Sequence, residues 1–320
     1  METSQHIGPN RATGSTGPAT LRTRDGIVLP LYVWRASTPP RAALALVHGL
    51  AEHAGRYAAL AAHLNAAGID VYAIDLRGHG HAPGRRTWVA RFDEYLDDAE
   101  ALLAHVSAQC AAGGAAGASA RTPLFLMGHS MGGAIAALYA LERLPTLRIP
   151  LAGLLLSSAA LAPGRDVPAW MIGASRIISA IRPRFPAMKI DAALLARDPA
   201  VVEANRADPL VHHGAIPART GAQLLVAMKR IEAGRAQLRV PVLIWHGTED
   251  KLTEPEGSRA FGATVGSPDR TLTLYEGSYH ETLNDLDRER VIRAMIDWID
   301  QRCRRAGRRL CAVTLRRVFR

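Results

Sequence analysis

The amino-acid sequence predicts an α/β protein with a mostly parallel sheet, helices on both faces of that sheet, and a helical cap inserted between two core strands. Short apolar runs alternate with longer helical patterns, an arrangement typical of βα units that form a buried parallel sheet. The alternation stops over 163–238, a stretch with several prolines and no strand pattern, and then resumes. The 320 residues are enough for one such domain with one elaboration.

The order of the elements follows from these patterns. Asp25-Gly26, a favoured two-residue hairpin turn, separates apolar runs at 19–24 and 27–34, so the sheet is predicted to open with an antiparallel pair. The later strands are predicted at 42–49, 70–78, 123–130, 151–159, 239–247 and 271–277. The helices are predicted at 54–68, near 91–110, at 131–144, near 254–265 and near 285–304.

The pattern divides the chain into a leader, a core, a cap and a tail. Residues 1–18 form a flexible leader that lacks the apolar segment of a secretory signal. The core comprises 19–162 and 239–301, and residues 163–238 form the cap. Residues 302–320 form a basic tail with eight arginines and no acidic residue.

The net charge of +10 is concentrated in that tail. Without it the chain has 31 basic and 29 acidic residues, a balance that argues against a nucleic-acid-binding surface on the core. The tail either contacts phosphate or an anionic membrane surface, or it is a solvated terminus, and both interpretations remain open.

Membrane spans and disulfides are not predicted. No uninterrupted apolar run approaches the ~18 residues that cross a bilayer, so we expect a soluble or peripheral protein. Cys110, Cys303 and Cys311 fit neither a disulfide framework nor metal-ligand spacing, which favours a reducing, cytoplasmic location. The cap segment 167–185 is apolar with interspersed arginines. It either contacts a membrane or an acyl tunnel, or it is buried against the core.

A serine lies at the junction of a predicted strand and a predicted helix. Gly128-His129-Ser130-Met131-Gly132 matches G-x-S-x-G, with glycines where a tight strand-to-helix turn leaves no room for side chains. Such a turn exposes the Ser130 hydroxyl. It also places the Met131 N–H at a helix N-terminus, where free N–H donors can stabilise an oxyanion.

A serine nucleophile needs a base, and the base needs an orienting acid. In this arrangement both follow the serine, at the ends of later strands. His280 follows the last predicted strand and Asp250 follows the preceding one, with Glu249 as an alternative acid. The N–H of Leu50, after the strand at 42–49, is the predicted second oxyanion donor.

Six segments carry a resemblance to a known family: HGLAEHAGRY, DLRGHG, GHSMGGAIAALYALER, DPL, HGTEDKL and YEGSYH. With them the chain resembles, over roughly residues 20–300, the monoacylglycerol lipase and lysophospholipase-like group of α/β-hydrolases, with its serine aminopeptidase S33-type domain. The resemblance implies a Ser130-Asp250-His280 triad, an oxyanion hole from the Leu50 and Met131 amides, and a lipid-facing cap.

The pocket residues depart from the family pattern at two positions. Leu283 stands where relatives often have a second histidine, and Asn205 stands where they have a tyrosine. Glu52, His53 and Arg56 either shape the polar end of the pocket or brace the loop that contains them, and the sequence leaves both roles open.

The predicted reaction is hydrolysis of carboxylic esters with medium or long acyl chains, from monoacylglycerols or lysophospholipids, through an acyl-enzyme. The same triad is compatible with a peptidase, a thioesterase or an acyltransferase, and the scaffold with a non-catalytic binding protein. No glycine-rich phosphate cradle and no metal-ligand spacing is found, so neither a cofactor nor a metal is predicted. The oligomeric state stays open.

Overall fold

The computed structural model describes residues 19–112, 121–147, 149–164 and 168–318, with backbone alone from residue 306 onward. The predicted leader 1–18 therefore lies outside the described residues, as do 165–167 of the predicted cap and the end of the predicted tail.

Outside residues 163–238, the described chain alternates strands and helices in the order that the sequence predicts. The strands are β1 (Ala19–Arg22), β2 (Val28–Trp34), β3 (Ala42–Val47), β4 (Ile69–Ile74), β5 (Leu124–His129), β6 (Leu151–Ser157), β7 (Pro186–Met188), β8 (Ile216–Pro217), β9 (Val242–Gly247) and β10 (Arg270–Tyr275). The α-helices are α1 (Ala58–Ala66), α2 (Asp93–Ala112), α3 (Met131–Glu142), α4 (Leu144–Leu147), α5 (Ala169–Ile181), α6 (Pro199–Ala207), α7 (Ala218–Gly234), α8 (Pro255–Thr264) and α9 (Arg288–Val318). Short 3₁₀ turns lie at Ala54–Tyr57, Ala192–Leu194 and Arg235–Gln237.

Eight of these strands form one sheet in the spatial order β1-β2-β4-β3-β5-β6-β9-β10. β1 and β2 pair antiparallel across the Asp25-Gly26 turn, and β2 pairs antiparallel with β4. All other neighbours in this sheet are parallel. The predicted fold class, a mostly parallel sheet opened by an antiparallel pair, is confirmed.

The central strands are buried on both faces, which explains their continuously apolar sequences. In β3, Ala43, Ala45 and Val47 face one side of the sheet, where they pack in a cluster with α2, α3 and α8. The alternate residues Leu44 and Leu46 face the other side and pack in a cluster with α1 and α9. The sheet is thus held between two layers of helices, with its parallel strands ending at one edge.

The insertion between β6 and β9 contains α5, α6 and α7, and it also contains a strand pair that the sequence did not predict. β7 and β8 pair antiparallel in a separate two-stranded sheet. The expectation of no strand over 163–238 is wrong at these two places. The strands have three and two residues and include prolines, so they are too short to produce an alternating pattern.

The last helix extends further than the predicted end near residue 304. Within it, Arg302 is buried, with its guanidinium 3.8 Å from the centroid of the Trp298 ring and paired with Asp269. Arg305 also pairs with Asp269, at 3.0 Å. The first residues of the predicted tail therefore pack on the core. Among the described helices none has both the length and the apolar character to cross a bilayer.

Candidate active site

Ser130 occupies a strained turn between β5 and α3. Its backbone has φ 55° and ψ −122°, a conformation that residues other than glycine rarely adopt and that costs about 1–3 kcal/mol. Its backbone is hydrogen-bonded on both sides: the Ser130 N–H donates to Ser157 O, and Ser130 O accepts from the Ala160 N–H, both at 3.0 Å. The side chain is partly exposed. The turn therefore presents the Ser130 hydroxyl at the end of the strand, as the sequence predicts.

The glycines around Ser130 are required by close backbone contacts. A Cβ atom on Gly128 would lie 2.1 Å from Gly132 O, and one on Gly132 would lie 2.2 Å from Val47 O. These separations are far below any permitted contact. The start of α3 is thus pressed against the end of β3.

The loop after β3 packs directly beside Ser130. Its Gly49 N–H donates to Glu52 Oε1 at 2.6 Å, and a Cβ atom on Gly49 would lie 3.1 Å from Ser130 Cβ. His48 accepts the Leu76 N–H on Nε2, so its Nδ1 carries the proton and donates to Gly49 O at 2.7 Å. These bonds fix the segment that leads to Leu50.

The two predicted oxyanion donors sit at the ends of these segments. The Met131 N–H is the first of α3, and the Leu50 N–H follows Gly49. Among the described residues, no backbone hydrogen bond outside the helices and strands involves either amide. The arrangement suits an oxyanion hole, whose assignment to these amides stays a prediction.

Asp250 and His280 meet after the last two strands. Asp250 Oδ2 lies 2.7 Å from His280 Nδ1, and both side chains are buried. Asp250 Oδ1 accepts the backbone N–H groups of Leu252 and Thr253, at 2.8 and 3.0 Å. The alternative acid Glu249 is exposed. The structure thus brings Asp250, and not Glu249, to the histidine.

Sequence reasoning missed a second histidine at the same carboxylate. His246 Nε2 lies 3.0 Å from Asp250 Oδ2, and its Nδ1 lies 2.7 Å from Ser258 Oγ. The Thr253 hydroxyl also donates to Asp250 Oδ2 at 2.8 Å. A signal was available in the sequence, because His246 is four residues before Asp250 at the end of a buried strand. Asp250 is therefore fixed from several sides.

These contacts set the charges of the pair. Burial alone would raise the pKa of Asp250, but His280 and His246 hold that pKa well below its usual range. Burial alone would lower the pKa of His280, yet the charge and hydrogen bond of Asp250 outweigh it and raise the pKa. Asp250 is ionised at neutral pH, and His280 is a stronger base than a free imidazole.

His129 connects this pair to the serine turn. Its ring centroid lies 4.7 Å from that of His280, and it directly precedes Ser130. Burial lowers the pKa of His129 to about 4, so its ring is neutral and can pack against the more basic His280. The imidazole of His280 therefore lies beside the residue that precedes the candidate nucleophile.

The predicted pocket residues are all wholly or largely buried. Glu52 and Arg56 form an ion pair at 2.8 Å, and His53 Nε2 lies 2.8 Å from a carboxylate oxygen of Asp208. These bonds brace the loop after β3, one of the two roles that the sequence leaves open.

The two positions that depart from the family pattern are buried as well. Asn205 lies near the end of α6, and Leu283 packs in the core cluster shared with α1 and α9. A contact of any of these five residues with substrate stays a prediction.

A cavity of about 420 Å³ lies between the insertion and the core. Its lining comes from the segment after β6 and from α5, α7 and α8. It combines apolar side chains, which include Leu161, Ile172, Leu225, Met228 and Phe261, with charged ones, which include Lys229, Glu232 and Arg235. The described residues contain no group of three or more His, Cys, Asp or Glu side chains that could hold a metal ion.

Comparison with known proteins agrees with this architecture. Residues 38–287 match the family model described as serine aminopeptidase, S33. The monoacylglycerol lipase of Mycolicibacterium smegmatis is 35% identical over 274 residues, which cover 86% of this chain and 93% of the relative. The monoglyceride lipase of Rattus norvegicus is 33% identical over 287 residues, which cover 89% and 91%.

A solved structure shares both sequence and fold. The monoacylglycerol lipase of Paleococcus ferrophilus is 32% identical, with a TM-score of 0.73 over 86% of this chain and 99% of that one. The predicted resemblance to hydrolases of the monoacylglycerol lipase group is confirmed. The chain belongs to the serine aminopeptidase S33 family and has the α/β-hydrolase fold.

Proposed function

We propose that the protein is a serine hydrolase that cleaves the carboxylic ester of monoacylglycerols or lysophospholipids. Ser130 is the nucleophile, His280 the general base and Asp250 the orienting acid. The backbone N–H groups of Leu50 and Met131 form the oxyanion hole. The observation that carries the proposal is the 2.7 Å contact between Asp250 and His280, with His280 packed on the residue that precedes Ser130.

The hydrogen bond to Asp250 determines which nitrogen of His280 does the chemistry. Because Nδ1 donates to the carboxylate, Nε2 keeps its lone pair and can accept the Ser130 proton. The serine oxygen then attacks the ester carbonyl, and the two amides stabilise the negative charge on the tetrahedral oxygen. His280 returns the proton to the leaving alcohol, and a water molecule, activated by the same nitrogen, releases the acid.

The lipid substrate is supported by the relatives and by the space beside the insertion. The relatives named above are monoacylglycerol and monoglyceride lipases. Leu161, one of the residues that line the cavity between insertion and core, follows Ala160, whose N–H donates to Ser130 O. We assign residues 163–238 as a cap, and the cavity under it as a place for an acyl chain.

A substrate panel on the purified protein tests this function. We expect turnover of monoacylglycerols and lysophospholipids, and little turnover of aminoacyl amides or acyl thioesters. A strong preference for an amide would contradict the lipid assignment. Labelling by a fluorophosphonate probe that disappears in Ser130→Ala identifies the nucleophile, and an unlabelled wild-type protein would refute the serine mechanism.

We further propose a cytoplasmic enzyme that touches membranes through the cap. Helix α5 exposes the apolar side chains of Trp170, Ile177 and Ile181, which are 71%, 62% and 75% accessible. The alternative that these side chains are buried against the core therefore does not hold for them. Arg176 and Arg182 are exposed on the same helix and at its end. A helix with this surface suits a lipid interface.

Binding to vesicles tests the membrane contact. We expect sedimentation with phosphatidylcholine vesicles that contain phosphatidylglycerol, and weaker binding without the anionic lipid. A variant that ends at residue 305 tests the tail while keeping Arg302 and Arg305 on Asp269. Equal binding by this variant would assign the contact to the cap alone, and no binding by either protein would refute the proposal.

A further inference from the structure

Three charged side chains form a buried cluster beside the candidate active site. The Arg56 guanidinium forms two bonds with the Glu281 carboxylate, at 2.7 and 2.8 Å, and a third with Glu52 at 2.8 Å. The side chains of Glu52, Arg56 and Glu281 are 8%, 11% and 4% exposed. One arginine therefore bridges two carboxylates that are far apart in the sequence.

The Glu52 end of the cluster supports the loop that precedes the predicted oxyanion donor. Glu52 Oε1 accepts both the Gly49 N–H and the Tyr57 hydroxyl, at 2.6 and 2.9 Å. A Cβ atom on Gly49 would lie 2.8 Å from Glu52 Oε1 and 3.1 Å from Ser130 Cβ. The backbone before Leu50 is thus enclosed between the Glu52 carboxylate and Ser130.

The Glu281 end supports the loop that carries the base. Glu281 directly follows His280, and its carboxylate also accepts the side-chain amide of Asn284 at 2.9 Å. Its backbone N–H donates to Leu195 O in the insertion, at 2.7 Å. Both ends of Glu281 are therefore held, and a shift of this residue would move His280 with it.

Within this three-residue cluster, the Arg56 guanidinium links the loop after β3 to the loop that carries His280. Burial would lower the pKa of Arg56, but the two carboxylates raise it, so the link is always charged. Burial would raise the pKa of Glu52, and Arg56 with the nearby histidines lowers it to about 2. A planar guanidinium can satisfy a carboxylate with two parallel bonds, which an ammonium group cannot.

We propose that Arg56 is a positioning residue, which holds the oxyanion loop and the His280 loop at a fixed separation through Glu52 and Glu281. This inference rests on the proposed function, because it assigns the two loops to the oxyanion hole and to the base. Misplacement of such groups by about 1 Å costs on the order of 10²-fold in rate, so the expected effect is on turnover rather than on substrate binding.

Three variants and one control test the proposal. Arg56→Met removes the link, and Arg56→Lys keeps the charge without the planar guanidinium. Glu281→Gln removes the charge of Glu281 and one of the two oxygens that accept from Arg56. Arg230→Met is the control, because Arg230 also bridges two carboxylates, Asp93 on α2 and Glu142 at the end of α3, and none of these residues contacts Glu52, Arg56 or Glu281 in the cluster. Each protein is measured for kcat and KM on a soluble short-chain ester and for its melting temperature.

We expect Arg56→Met to lower kcat about 10- to 100-fold with little change in KM. Arg56→Lys recovers part of that loss, and Glu281→Gln shows a smaller loss of kcat. Arg230→Met lowers the melting temperature with kcat retained at temperatures where it is folded. If Arg56→Met does not fold, the kcat of Glu281→Gln decides.

Three results would overturn the proposal. The first is an unchanged kcat in Arg56→Met and Glu281→Gln, and the second is a loss of kcat in Arg230→Met equal to that in Arg56→Met. The third is an effect on KM alone, which would make Arg56 a substrate-contacting residue. Failure of the proposed function is recognised by a different result: Ser130→Ala would then keep its ester-hydrolysing activity, whatever the Arg56 variants do.

Discussion

The serine turn and helix α5 differ in how tightly the rest of the chain packs around them. Around Ser130 the backbone is strained, and the neighbouring glycines lie too close to other backbone atoms to allow a side chain. The carboxylate of Asp250 is hydrogen-bonded to two histidines and to the Thr253 hydroxyl. On α5, Ser179 is the single buried side chain among those described, and large apolar groups face outward. The serine turn is fixed by contacts within the chain, whereas α5 turns large apolar side chains toward the surroundings of the protein.

Under the proposed function, this contrast separates chemistry from access of the lipid substrate. Reacting groups must be held to within a fraction of an ångström, which requires a rigid support from strand ends and buried hydrogen bonds. A surface that meets lipid gains affinity from exposed apolar area and needs no such support. Changes at the turn should therefore abolish turnover, while changes on α5 should alter partition to lipid and leave turnover of soluble esters intact.

The largest effect is expected for Ser130→Ala. Removing the nucleophile should lower kcat by about 10⁵-fold or more, with the fold retained. The assay is hydrolysis of a soluble ester, with Ser107→Ala on α2 as the control that keeps full activity. Substantial activity in Ser130→Ala would show that the serine turn does not carry the chemistry.

The next effect is expected for Asp250→Asn, which keeps the shape of the acid and removes its charge. We expect kcat/KM to fall about 10³- to 10⁴-fold, because the amide can donate to Nδ1 and favour the wrong tautomer of His280. The pH dependence gives a second test. The charge of Asp250 raises the pKa of His280, and the base acts only when deprotonated.

In the wild-type protein kcat/KM should therefore rise with pH around a midpoint above the usual histidine value. In Asp250→Asn the midpoint should move to lower pH, because burial then dominates. A profile of kcat/KM between pH 5 and 9 (about the range in which imidazoles titrate) measures both midpoints. An unchanged midpoint would show that Asp250 does not act on the titrating base.

A smaller loss is expected for Gly132→Ala. The new Cβ would lie 2.2 Å from Val47 O, so the start of α3 must move away from β3. We expect the free energy of unfolding to fall by about 1–3 kcal/mol, and kcat to fall as well. Gly221→Ala on α7 is the matched control, because its Cβ meets no atom within 4 Å, and it should be neutral or stabilising. Denaturant unfolding of both variants measures the difference, and equal stabilities would contradict the close contact.

The smallest effect is expected on α5. Ile177→Ser combined with Ile181→Ser should weaken vesicle binding about tenfold, since two apolar side chains no longer enter the lipid. Turnover of a soluble ester should not change. Leu272→Ser on the edge strand β10 is the control and should bind vesicles normally. A loss of soluble-ester turnover in the α5 variant would mean that the two regions are not separable.

Most of the fold could be predicted because its signals are local. Continuous apolar runs such as 42–47 indicate strands buried on both faces, and the Asp25-Gly26 turn indicates the antiparallel opening. The strand pair β7 and β8 is not predicted, because two or three residues are too few to show the alternation of apolar and polar side chains that indicates a strand. The sequence pattern predicts a helix from residue 54, whereas Ala54–Tyr57 form a short 3₁₀ turn, because four residues are too few to distinguish the two helix types.

The candidate site divides in the same way. G-x-S-x-G between a strand and a helix, followed by Asp250 and His280 after later strands, is visible in the order of the chain. The contacts of His246 with Asp250, and of Arg56 with Glu281, join residues whose proximity depends on which strands are neighbours and how their loops turn. Residue spacing does not contain that information.

The sequence by itself determined the parallel sheet, the serine turn and the order in which Asp250 and His280 follow it, because backbone propensity, burial pattern and chain order act over short distances. The tertiary structure decided that Asp250 rather than Glu249 meets His280, that α5 turns its apolar side chains outward, and that Arg56 joins two loops. These outcomes depend on the packing of elements separated by up to 225 positions, where small differences in position select one hydrogen-bond partner over its neighbour.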